Sequence, residues 1–143
     1  MKQEDKELLL RDLCARLPYG FKVSVNQSQL QNYDYKWKNW DFEEEPQEVD
    51  GVSVYGVTFG CMDMGDGVIG FEFIKPYLFP ISSMTEKQRT SHNFLKYSAH
   101  ANPIKLIDWY NKNHFDYRRL IEKGLAIDST GLNIYKEESN EKY

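Results

Sequence analysis

Histidine, cysteine and proline are scarce in this 143-residue chain, at three, two and five copies, and no apolar run approaches the roughly 20 residues that cross a bilayer. Each scarcity narrows the chemistry. His92 and His100 are eight residues apart, which on one helix separates them by about 12 Å along the axis and roughly 80° around it, too far to hold one ion. Asp63 and Asp66 lack the spaced oxygen ligands and closing glutamate of a calcium loop. No glycine loop followed by Lys-Ser/Thr and no Gly-x-Ser-x-Gly elbow occurs, so no metal and no cofactor are expected. Cys14 falls in an apolar helical pattern and Cys61 in a strand-like run, positions that suit two buried free thiols better than a disulfide. Met1-Lys2-Gln3-Glu4-Asp5 turns acidic where a signal peptide turns apolar, so the expected setting is cytoplasmic, away from membranes.

What is present is core material. With 41% apolar and 15% aromatic residues, the composition supports one α+β domain over 1–135, followed by a frayed tail over 136–143. Lys and Arg number 18 against 22 Asp and Glu; the net charge of -4 favours solubility and gives no broadly basic nucleic-acid footprint.

Leu8, Leu9, Leu10, Leu13, Cys14 and Leu17 recur at spacings of three and four, with Glu7, Arg11, Asp12 and Arg16 between them, and predict an amphipathic helix over 4–17. Pro18-Tyr19-Gly20 ends it. Phe21, Val23 and Val25 alternate with polar residues as a half-buried strand. Tyr33, Tyr35 and Trp37 alternate too and suggest an edge strand, while Glu43-Glu44-Glu45-Pro46 reads as a solvated loop. Val52 to Cys61 and Val68 to Ile74 form the expected antiparallel hairpin, with Gly56 and Gly60 marking a bulge or a close backbone approach.

Two prolines between 75 and 81 predict an irregular apolar connection. Ser83 and Glu86 have capping-box spacing for a helix over 84–97. Asn102-Pro103 starts another, with Ile104, Ile107, Tyr110, Leu106 and Trp109 as its apolar face. Asp116 is placed to cap a third short helix to Lys123, closed by Gly124 and Leu125, before a short edge strand at Ala126 and Ile127. The expected architecture is a small antiparallel sheet packed against an N-terminal helix and a C-terminal helical cluster.

Three blocks carry a resemblance: Leu8 to Gly20, Lys75 to Glu86 and Asp108 to Ala126. They look like segments of an uncharacterised family of small proteins found in gut Bacteroides-type bacteria and their phages or mobile elements. The resemblance implies an accessory protein, and it brings no activity, cofactor or catalytic residue with it.

Three function classes remain. Tyr33, Tyr35, Trp37, Trp40 and Phe42, beside the acidic run from Asp41 to Asp50, suit a protein-binding surface, because aromatic groups bury large areas and keep polar edges; the same residues also suit a lid over the sheet. A non-catalytic interaction module with an unidentified protein partner is therefore the leading expectation. A small enzyme needs His114 beside Asp116 or Asp108, with Arg118 in reach, although a helix turn explains His114 better. Residues 81–124 hold eight basic against four acidic residues, a surface for phosphates or for the acidic run of the same chain. Oligomeric state is left open by composition.

Overall fold

Leu9 and Leu13 bury one face of α1 (Gln3–Arg16), which ends where Pro18 enters a 3-10 turn over Leu17–Tyr19. The computed structural model describes residues 1–135; the frayed tail expected over 136–143 lies outside the described residues. The remaining elements are β1 (Lys22–Val25), α2 (Gln27–Tyr33), β2 (Gln47–Ser53), β3 (Gly56–Phe59), β4 (Ile74–Leu78), α3 (Glu86–Tyr97), α4 (Pro103–Lys112) and β5 (Ile127–Asp128). The fold is α+β: one sheet in the order β3-β2-β1-β4-β5, antiparallel except for the parallel β4–β5 edge, with an N-terminal helix and a C-terminal helical cluster.

Apolar side chains collect in two clusters. The larger joins Leu9 and Leu13 of α1 to Val23, Val25 and Leu78 of the sheet and to Phe59. The smaller, made by Met84, Tyr110 and Phe115 with Phe79 and Trp109 against them, lies where the helices meet the end of β4.

Several elements differ from expectation. The hairpin is formed by β2 and β3 around Val54-Tyr55, and its register shifts between Val49 and Gly51. Residues 68–73 join it through the isolated Val57–Ile69 bridge instead of a strand ladder and then turn through a 3-10 segment at Phe71–Phe73. The segment expected to be irregular is β4, second from the sheet edge despite Pro76. The Asn26 amide donates to the Phe73 carbonyl at 2.8 Å, and Pro76 faces Val23 three pairs along. Antiparallel pairs alternate between bonded and non-bonded, so Pro76 sits in a non-bonded pair and its missing N–H points away from β1. On the other side β5 pairs only with Tyr77 and Leu78, so no ladder bond is lost there either.

The expected edge strand at 33–37 is instead the end of α2 and a 3-10 turn over Tyr35–Trp37. Asn26 caps α2 by accepting from the Gln29 amide, and the Asp34 carboxylate accepts from the Lys36 amide, which curls the chain. The capping box of α3 belongs to Thr85 and Gln88, because the Ser83 hydroxyl donates to the Pro80 carbonyl. Asn102 caps α4 as expected, accepting from the Ile104 and Lys105 amides. No third helix forms over 116–123. The two closing bonds nonetheless exist, Gly124 amide to Ile121 carbonyl and Leu125 amide to Leu120 carbonyl, with Gly124 at φ +73°. Both cysteines are free as expected but exposed: buried residues 9, 12, 13 and 16 define the inner face of α1, and Cys14 points off it.

Gly56 has φ +149°, and a Cβ there would meet the Ile69 carbonyl oxygen at 2.0 Å. That crowding is the close backbone approach expected for Gly56; at Gly60 a Cβ would meet nothing within 4 Å, so that glycine marks no close approach. Gly56→Ala is expected to lower stability by roughly 2–4 kcal/mol through strain and loss of the Val57–Ile69 bridge. A denaturant midpoint equal to wild type would show that the bridge contributes nothing.

Candidate functional site

The five aromatic candidates divide between core and surface. Trp37 and Phe42 are buried, and Trp40 stacks on Phe42 with ring centroids 5.2 Å apart. Phe42 also meets Phe59 of β3 edge-on at 5.3 Å, so this trio forms part of the larger cluster. The Gln27 side chain fastens the segment to α2, donating to the Trp37 carbonyl at 2.9 Å and accepting from the Phe42 amide at 3.2 Å. Tyr33 and Tyr35 reach solvent, at 76% and 72% exposure. Lys38 covers one ring, its Nζ lying 4.3 Å from the Tyr35 centroid and donating to the Tyr35 hydroxyl at 2.8 Å.

His114, Asp116 and Arg118 each serve a different partner. Asp116 is buried, and its two carboxylate oxygens accept from the Leu120 and Ile121 amides at 2.9 Å each. Arg118 Nε lies 3.3 Å from Asp12 Oδ1. Asp12 is fully buried, as is Arg16, which donates to it through Nε at 2.7 Å and Nη2 at 3.1 Å and to the Phe115 carbonyl at 2.8 Å. The sequence shows this pair only as an ordinary i, i+4 surface spacing. Both guanidinium groups lie over the Tyr117 ring, at 5.4 and 5.0 Å.

His114 does end a helix. Its amide donates to the Asn111 carbonyl and the Phe115 amide to the Tyr110 carbonyl, the paired closure that usually places glycine at the left-handed position; here His114 adopts φ +63°. Its ring stacks on Tyr135 at 3.5 Å and an 8° tilt. The Tyr135 hydroxyl in turn accepts from the Lys22 amide and donates to the Tyr77 carbonyl, each at 2.9 Å, standing between β1 and β4 in place of a direct backbone bond. Burial, with Arg16 and Lys22 nearby, lowers the His114 pKa to about 4, and burial raises that of the Tyr135 phenol. Neither Tyr135 nor Asp12 stands out locally in the sequence, since their tertiary partners lie far along the chain.

The helical cluster contains a concavity lined by apolar and charged side chains. A groove of about 690 Å³ runs between α3, α4 and the turn over residues 116–122. Ile107 and Tyr110 of α4, Ile121 of the turn and Ile81 line it with apolar surface. His92 of α3 is buried beneath, its Nε2 2.7 Å from the Tyr110 hydroxyl. Burial raises the Tyr110 pKa, and the Lys96 ammonium opposes that rise. Ile104, one turn before Ile107 on α4, is 76% exposed, so the apolar face expected to pack inward is partly open. A second cleft, of about 670 Å³, lies beside Glu43, Glu44 and Glu45 and reaches Lys75 and Tyr77 of β4.

Among the described residues, no three His, Cys, Asp or Glu side chains are placed to hold a metal ion, and no helix is long and apolar enough to cross a membrane. Comparison with protein-family models, curated proteins and solved structures gives no match.

Two stability effects follow from the buried polar groups. His114 has a lower pKa folded than unfolded, so its contribution is complete above about pH 6.5 and falls as pH drops towards 4, by at most about 3 kcal/mol. His114→Asn keeps a residue tolerant of positive φ and is expected to flatten that part of the stability–pH curve; an unchanged slope in urea titrations would refute the assignment. Asp12→Ala strands Arg16 without its counter-charge and is expected to cost roughly 3–5 kcal/mol, read from the same titrations at pH 7.

Proposed function

We propose that this chain is a non-catalytic binding module whose docking site for a protein partner is the groove between α3, α4 and the 116–122 turn. The open apolar face of α4 carries the reading: Ile107 lines the concave surface together with Leu106 and Tyr110, and Ile104, one turn earlier on the same helix, is exposed beside it. Covering such surface yields about 25 cal/mol per Å². The groove's polar side chains support binding over proton transfer. Asp116 is occupied by two amides and His92 by the Tyr110 hydroxyl. The likeness of the three sequence blocks to phage and mobile-element proteins extends the proposal to an accessory protein that modulates a host protein. Tyr33 and Tyr35 form a separate exposed surface, with Trp37, Trp40 and Phe42 as its support.

Capture from a native bacterial lysate tests the location of the site. Ile104→Glu/Ile107→Glu, shown to be folded by its thermal transition, is expected to lose a saturable protein partner that Tyr35→Ala retains. A partner kept by the groove variant and lost with Tyr35→Ala would move the site to the aromatic surface.

A further inference from the structure

The charges around the groove bear on what it receives. Lys96 lies one turn beyond His92 on α3 and projects at the groove's edge, its ammonium 5.3 Å from the Tyr97 ring. Arg119 also lines the groove, from a left-handed backbone, φ +62°, a conformation unfavourable for a residue with a Cβ. Among the described residues, the ion pairs join Lys6 to Glu72 and Arg16 and Arg118 to Asp12. Neither Lys96 nor Arg119 has a carboxylate partner of that kind. Asp116 lines the groove, but its charge is turned inward to the Leu120 and Ile121 amides. Glu122 is the remaining carboxylate of the lining, so two cations share the groove with one carboxylate that solvent can reach.

We propose that the groove binds a short acidic, apolar peptide segment, its aliphatic side chains over Ile107 and Tyr110 and its carboxylates on Lys96 and Arg119. This rests on the groove being the docking site and specifies the chemistry of the partner. Apolar contact supplies the attraction and the two cations set preference and approach rate, the usual division at a wet interface. Each exposed pair is worth little alone, so the discrimination comes from both together.

The probe is a fluorescein-labelled synthetic peptide of leucines and phenylalanine interspersed with aspartate and glutamate, with a twin bearing asparagine and glutamine. Both are titrated against the intact chain by fluorescence anisotropy, and the site is mapped by amide chemical shifts. The acidic peptide is expected to shift the Ile107, Tyr110 and Arg119 amides. Lys96→Ala/Arg119→Ala is expected to weaken it roughly three- to tenfold, to the level of its neutral twin, from two exposed pairs. Equal binding of the twin would overturn the charge preference and leave docking in the groove standing. Unchanged binding of the acidic peptide to Ile107→Glu, or no binding to the intact chain, would overturn the peptide proposal; the lysate capture then decides separately whether the groove docks anything. Displacement of the peptide by a short single-stranded oligonucleotide, lost in the Lys96→Ala/Arg119→Ala variant, would assign the cations to nucleic acid instead.

Discussion

The salt bridge between Asp12 and Arg16 joins two charges that have both left water completely, and the helical half of the molecule is arranged around it. Such a pair survives only if the remaining hydrogen-bonding capacity is met nearby. Arg16 meets part of it by donating to the Phe115 carbonyl, and Arg118 brings a second cation to the same carboxylate. Those contacts fix the chain just after α4. Phe115 then bridges to Phe79 beyond the end of β4, and the Phe79 amide donates to the His114 carbonyl. The position of the helix pair relative to the sheet is thus transmitted from α1 through a charge cluster rather than through apolar packing alone.

That arrangement accounts for the groove. The turn over 116–122 contains no helix, yet it is held at both ends: Asp116 accepts two amides ahead of it, and Gly124 closes it behind. A turn so fixed presents Tyr117, Arg119 and Ile121 to one side while Leu120 and Leu125 enter the core. The groove wall is therefore tied at both ends by backbone amides.

The elements legible in the sequence were those whose signals are local. The leucine stripe of α1, the Asn102-Pro103 start of α4 and the Gly124-Leu125 closure each depend on residues within two turns of one another. The elements misread depend on distant partners. Pro76 enters a strand because its neighbours on both sides happen not to need its N–H, a fact of register that no local pattern carries. Tyr33, Tyr35 and Trp37 alternate like a strand, but Trp37 answers to Phe42 and the Gln27 side chain. Of the candidate site, His114 was recognised as a turn residue. Its stacking on Tyr135 had no local signal, and the exposed Ile104 looked like core because periodicity cannot tell a packed face from an open one.

Tyr135 has a consequence for the order in which the molecule is assembled. Its hydroxyl supplies the link between Lys22, 113 residues earlier, and Tyr77, 58 residues earlier. A chain still emerging from the ribosome can pair β1 with β2 and with the first part of β4, but the seam between Lys22 and Tyr77 stays unclosed until Tyr135 is out. Closing loops of that length carries an entropic cost, so this contact depends on three distant segments having been brought together first. The nascent chain consequently passes through a stage in which two backbone polar groups at the centre of the sheet still face water.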